Sequence, residues 1–558
     1  VGHHVVRGEG ASPGRREATQ GDRGRALMVE AAQNLSVNRQ QKRQRQERNV
    51  WTAVVVLCAL AVAISLVLLT GPLPLALGLT ALILVVAIFL RPRFGLYLLL
   101  FCSLFLEQWG IAGLDPVTAR LPFYQTFSGT GGIPLPVSPL EVLLLVTFVA
   151  VALPQVARRG VVFVRGPLFT PLLLFLGFVV LSIAYGAVRG AGVGPFDVRA
   201  AWEETRSFFY LAIMYVLVCN LLKTREQLRT FIWLFIAAIG LKSIQGIVRY
   251  IDVTTNGLQV DSITGHEDVV FFSAFVLLIT GLLLFGAKRD AATWRQMRIM
   301  LLVLLPLLFT LLVTNRRLGF IVLGVGLGLV AVLLFRTRRD LFLRLAPVVL
   351  VTLGIYVGLF WNGTGALSEP IRAVRSLVAP ATERDRSSNA WRDLENTNID
   401  YNLRAAPITG LGFGRPYSFI VAQPPIDATG FTYWRYIAHN AIYWVWMKMG
   451  LVGFILFWNL IGSAVILGIV TFRQVRDKYL KALALTVAGV VVMQVIFSYG
   501  DLGLTYSRSM VFLGCMLGVL ACLPALENLG EAEEKAARSP GQEPTALPAS
   551  ARVGAKSA

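Results

Sequence analysis

The sequence predicts an all-α polytopic integral membrane protein of about 12–14 transmembrane helices, with one long extracytoplasmic loop containing short helices. Three observations carry that expectation. Hydrophobic residues make up 55% of the 558-residue chain and charged residues only 15%, against roughly 45–50% and about 25% in ordinary globular proteins. Apolar runs of about 18 residues, each able to cross a bilayer, recur along most of its length. Lys and Arg gather in the short connectors between alternate runs, as cytoplasmic loops require.

The elements follow in order. Residues 1–50 are polar, rich in Arg and Gln and without apolar periodicity, and read as a disordered basic cytoplasmic arm. A cleavable signal peptide is not expected, because this arm precedes the first apolar run. Apolar spans follow near 51–70, 73–90, 94–106, 139–157, 167–188, 207–222, 229–250, 269–287, 299–314, 318–335, 346–361, 450–472, 480–497 and 508–526. The organisation expected is a helix bundle over 51–361, a long catalytic loop over 362–449, further spans over 450–526 and a disordered cytoplasmic tail over 527–558. With the N-terminus inside, the inside connectors hold Arg91 and Arg93, then Arg158, Arg159 and Arg165, then Lys223, Arg225 and Arg229. Later ones hold Arg336, Arg338, Arg339 and Arg344, then Arg473, Arg476 and Lys478. Both termini are thereby expected in the cytoplasm.

The net charge of +20 is accounted for by those connectors and does not call for a nucleic-acid partner. Expected partners in that respect are membrane lipids, with the basic run Arg39–Arg48 against anionic headgroups. The five cysteines, Cys58, Cys102, Cys219, Cys515 and Cys522, all lie in apolar runs and read as packing residues without disulfides. Of four histidines, His3 and His4 belong to the polar arm, which leaves His266 and His439 for chemistry.

Charge at a membrane helix is costly and needs a reason. Arg206 stands at the outer mouth of a span, as an interfacial residue or a ligand contact. Lys242, Gln245 and Arg249 share one helix face, either as interhelical polar contacts or as a cationic stripe lining a wet cavity. Arg316 and Arg317, in Thr-Asn-Arg-Arg-Leu-Gly-Phe, lie on the outer side, where positive charge is disfavoured, and an anionic ligand is a natural compensation. In Gly-His-Glu-Asp, residues 265–268, N-capping is favoured over a metal site. Asp501 reads as a turn residue or as a partner that orients a His or Arg. Gly410, Gly412 and Gly414 alternate in a loop without βαβ context, so a tight turn or close backbone approach is expected rather than a phosphate cradle.

The stretch His439–Phe457, a His-Asn pair followed by apolar residues and Gly-x-x-Gly-Phe, resembles the signature of the O-antigen ligase and O-antigen polymerase superfamily. Pro407–Gly414 is similar to that family's Gly-x-Gly element, residues 392–402 to the helix before it, and Thr314–Phe320 to its outer Arg-bearing turn. The resemblance implies a metal-independent glycosyltransferase without a cofactor. The donor implied is a glycan on undecaprenyl diphosphate at the outer face of a bacterial inner membrane. The acceptor implied is a hydroxyl on lipid A-core or on another glycan or lipid. It implies His439 as the essential histidine and general base, and Arg316 or Arg317 as a diphosphate ligand. Arg206, Lys242 and Arg249 join them as further diphosphate contacts, and Asp501, Asn440, Gly412 and Gly414 as supporting residues. A polymerase of the same superfamily is the principal alternative. A flippase or transporter is a weaker one, because the polar residues crowd at one face rather than near the midplane.

Overall fold

The computed structural model describes residues 73–538, except 112–113, 115–116, 122, 127–136, 158–162, 259, 261, 286–290, 315, 364, 377–382 and 425–430. The expected arm over 1–50, the span near 51–70 and the end of the tail, 539–558, lie outside the described residues. The chain divides into two compact units, residues 1–90 and 91–558. In the first, the described residues form one apolar helix, α1 (Leu73–Leu90).

The second unit is helical throughout its regular structure among the described residues. In order it comprises α2 (Pro92–Phe105), the short α3 (Val117–Arg120), α4 (Pro139–Ala157), α5 (Phe169–Arg189), α6 (Val198–Leu221), α7 (Arg225–Asn256), α8 (Asp268–Phe285) and α9 (Ala291–Val313). Then come α10 (Arg317–Thr337), α11 (Arg339–Phe360), α12 (Glu369–Arg375), α13 (Glu383–Ala405), α14 (Ala441–Gln474), α15 (Lys478–Gly500) and α16 (Ser507–Arg538). Ten of these are long and apolar enough to cross a membrane. The chain is a polytopic membrane protein.

Several boundaries differ from those expected. The run near 94–106 becomes a helix of only 14 residues, about 21 Å long at 1.5 Å per residue, which is shorter than the bilayer core. The span expected at 207–222 is the second part of α6, which begins nine residues earlier, where Asp197 caps the Arg199 and Ala200 amides. Glu203, Glu204 and Arg206 therefore ride on a helix rather than in a connector. The last helix continues to Arg538, beyond the boundary expected at residue 526.

The centre of the bundle is formed by α8, α15 and α16, which are mostly buried, whereas α11 presents its whole apolar surface outward. Close packing relies on small residues. On α16, Gly514 and Gly518 face α6, where a Cβ would stand 2.4 Å from the Leu211 carbonyl oxygen and 2.5 Å from the Val218 side chain. This is the small-xxx-small contact that lets membrane helices approach.

Helix α14 carries the feature that shapes the loop before it. Gly450 sits inside it at φ 69°, so the helical hydrogen bonding breaks there and leaves groups to be satisfied. The Pro407–Gly414 strap supplies them. The Leu411 amide donates to the Met447 carbonyl at 2.8 Å and the Gly412 amide to the Lys448 carbonyl at 3.0 Å. In return the Leu451 amide donates to the Ile408 carbonyl at 3.1 Å. A side chain at Gly450 would meet that same carbonyl at 2.1 Å, and one at Gly412 the Gly186 backbone at 2.4 Å. The alternating glycines are therefore a close-approach device, as expected, and their amides are consumed internally. The Gly414 amide donates to Glu204 at 2.6 Å, and Lys448, fully buried, pairs with the same carboxylate at 2.7 Å.

The bundle's two ends differ. At one, the start of α7, the cap of α15 and α16 are tied together: Arg225 pairs with Asp477 at 2.7 Å and donates to the Leu526 carbonyl at 3.2 Å. At the other, the connectors around residues 107, 266, 316 and 501 gather beneath the loop that holds α12, α13 and the strap.

Candidate functional site

The polar end is assembled around two histidines. His439 lies just before α14, whose N-terminus is capped by Asn440 accepting from the Tyr443 amide at 3.2 Å. Its position is set by α13. Trp391, Glu395, Asn398 and Asn402 recur there at spacings of four, three and four, which places them on one helix face. The two asparagines grip an extended segment. Asn402 accepts from the Ser418 amide and donates to its carbonyl, while Asn398 accepts from the Ile420 and Val421 amides. The same face delivers Glu395 to His439. One carboxylate oxygen accepts from the His439 backbone amide at 3.0 Å, and the other lies 3.2 Å from Nδ1. Trp391 stands edge-on to the imidazole, with ring centroids 4.8 Å apart.

Burial alone would push the His439 imidazole below its ordinary pKa. The charge and hydrogen bond of Glu395, with Asp501 beyond it, outweigh burial and Arg392, so the value is raised. Glu395 is nearly fully buried, while the His439 ring remains 21% exposed. With Nδ1 committed to Glu395, Nε2 is the ring atom left for a substrate proton.

The second histidine lies between Asp501 and the turn that opens α10. His266 Nδ1 is 2.9 Å from Asp501, and its Nε2 is 2.7 Å from an Arg316 guanidinium nitrogen. Asp501 also accepts from the Tyr506 hydroxyl at 2.9 Å and the Leu502 amide at 2.8 Å. Burial would raise this carboxyl. The His266 contact, then His439 and Arg392, hold it well below the usual carboxylate range. The histidine that Asp501 contacts is His266, and His439 has Glu395 instead.

A small cleft adjoins both systems, lined among others by Gln108, Trp109, Arg206, Phe431, Tyr433 and Tyr506. Phe431 connects it to His439, whose ring centroid is 6.4 Å away, and Tyr506 connects it to Asp501. A second, small apolar pocket lies between α5, α6, α14 and α16, lined by Phe175, Phe208, Phe457 and Leu504.

The arginines separate. Arg316 lies in the histidine cluster. Arg317 turns away and binds the loop, donating to Ser376 at 3.0 Å and Asn389 at 3.4 Å. Arg206 borders the cleft but pairs with Glu203 at 2.6 Å, with Glu141 at 3.9 Å, so an anion there competes with an internal carboxylate. Lys242 and Arg249 do share a helix face, but the structure does not bring them to the cleft. Both pair with Glu107, Lys242 also faces Asp268 at 3.7 Å, and Arg508 closes the network on Glu267 and Asp268 at 2.8 and 2.6 Å. Three cations meet three carboxylates. Burial would raise Glu107, yet Lys242, Arg249 and Arg508 hold it down to about 2. This arrangement corrects the expectation of a diphosphate role for Lys242 and Arg249, since their charge is neutralised inside the bundle. Gly412 and Gly414 support the strap, and Asn440 caps α14 and donates to Asn396 at 3.2 Å.

Residue-by-residue reading missed Glu395, Arg392 and the coupling of His266. The face formed by Trp391, Glu395, Asn398 and Asn402 was a usable signal. That of His266 was not, because its partners come from connectors 50 and 235 residues away.

Residues 301–458 match the family described as O-antigen ligase. The matched segment holds Arg316, Arg317, Glu395, Gly412, Gly414 and His439, and stops short of Arg206, His266 and Asp501. No curated protein matches this chain.

Proposed function

We propose that this chain, a membrane protein of O-antigen ligase/polymerase type, transfers a glycan from undecaprenyl diphosphate to an acceptor hydroxyl, as a ligase does. The reaction takes place at the outer face of the inner membrane. The observation that carries the reading is the His439–Glu395 pair beside a cleft that Arg206 borders and the Arg316 cluster backs. Glu395 holds the imidazole with its proton on Nδ1, so Nε2 can accept the proton of the acceptor hydroxyl. The hydroxyl oxygen attacks the anomeric carbon, and the bond from that carbon to the diphosphate oxygen breaks. The electron pair leaves with the lipid diphosphate. A single displacement of this kind inverts the anomeric centre. Charge developing on the leaving oxygen is stabilised by Arg316, a planar donor suited to phosphate, in a partly dry site.

The decisive experiment is transfer by the purified chain from a lipid-linked glycan to a lipid A-core acceptor. Gene deletion complements it. Full-length chains stranded on the lipid carrier indicate a ligase, and single repeat units on the normal acceptor indicate the polymerase. Unchanged surface polysaccharide together with no transfer by purified protein overturns the reading.

A further inference from the structure

We propose that His266 is a positioning residue: held by Asp501 with its proton on Nδ1, it accepts a hydrogen bond from Arg316 and aims that guanidinium at the lipid diphosphate. The inference rests on the donor assignment above and deepens it.

The tautomer follows from the partners. A guanidinium nitrogen can only donate, so an imidazole Nε2 at 2.7 Å from it must present its lone pair. A neutral ring then carries its proton on Nδ1, where the acceptor is Asp501 at 2.9 Å. Asp501 is itself held by the Tyr506 hydroxyl and the Leu502 amide, so the chain of contacts starts from a rigid turn. The Tyr506 ring packs edge-on against His266, with centroids 6.3 Å apart.

The surrounding charges come from four places. Asp501 and Tyr506 belong to the α15–α16 connector, and Arg316 to the α9–α10 turn. Glu267 and Asp268 flank His266 on its own connector, with Arg508 bound to both. From the loop side, His439 and Arg392 act on Asp501. Glu267 and Asp268 are committed to Arg508, which leaves Asp501 as the anion in direct contact with the ring.

The test is binding of undecaprenyl diphosphate to the full chain in nanodiscs, with His439→Gln present throughout so that turnover does not contribute. Affinity is measured at neutral pH. Adding His266→Gln, which keeps an acceptor near Nε2, should retain near-parental affinity. Adding His266→Leu, which removes it, should weaken binding about tenfold or more. A loss in the Gln variant equal to that in the Leu variant, or full affinity in the Leu variant, overturns the proposal. Nitrogen-15 spectra of the four histidines, with His266 assigned by its loss in the Gln variant, read the tautomer directly, and an Nε2-protonated ring also overturns it. If the parent does not bind lipid diphosphate, the donor assignment has failed, and the spectra still judge the Asp501–His266–Arg316 contact.

Discussion

Replacing Glu395 by Gln probes the proposed His439–Glu395 pair with almost no change in volume. The carboxylate accepts two hydrogen bonds, from the His439 backbone amide at 3.0 Å and from Nδ1 at 3.2 Å. An amide has one accepting oxygen, so one of those donors must face an NH2 group. Hydrogen bonds to a charged group contribute about 1.5–3 kcal/mol each. If that contribution is felt fully in the transition state, where the imidazole becomes cationic, kcat falls by about ten- to hundredfold. The pH profile should move as well. A general base works only when unprotonated, so kcat rises with pH through the His439 pKa, which Glu395 raises above the ordinary histidine value. Without that negative charge, burial is the dominant influence left, and the acid limb should shift to lower pH even as the plateau drops. The assay is steady-state transfer by purified protein at saturating lipid-linked donor and acceptor. Wild-type kcat with an unmoved acid limb in Glu395→Gln would refute the pairing of these two residues in catalysis.

Three further outcomes are expected. His439→Gln should lower kcat by about 10²–10⁴-fold in the same assay, while the variant still binds undecaprenyl diphosphate. Near-normal turnover would send the search for a base to Asp501. Arg316→Ala should abolish donor binding measured in nanodiscs, with Lys rescuing poorly. Arg317→Ala should mainly loosen the loop at Ser376 and Asn389, seen as faster limited proteolysis there, and equal loss of donor binding in both variants would contradict the division. Lys448→Met strands the buried Glu204 carboxylate and should destabilise the fold by about 3–5 kcal/mol, read as a lowered thermal midpoint. Adding Glu204→Gln should recover much of that loss.

The membrane class, the placement of the spans and the roles of individual glycines follow from local properties. Transfer of apolar side chains into lipid is additive along a run, and a span announces itself wherever about 18 such residues are contiguous. Strain at a positive φ is likewise a property of one residue, so Gly412 and Gly414 read correctly as turn formers in a linear text. His439 stands out in the sequence because its context is a contiguous motif that leads into a helix. The electrostatic assignments were not legible. A cation in a membrane helix announces a cost, and only tertiary structure shows what offsets it. For Lys242 and Arg249 the compensation is Glu107, 135 residues away from Lys242. For Arg316 it is a contact with His266, itself held by Asp501 from another connector. Arg316 and Arg317 are adjacent and chemically identical in the sequence. They part because Arg316 is the extended N-cap residue, at φ −110° and ψ 96°, whereas Arg317 opens the helix, which turns one toward the histidine cluster and the other toward the loop. Hydrogen bonds act over about 3 Å whatever the separation along the chain, so which carboxylate serves which histidine was decided by the packing of helices alone.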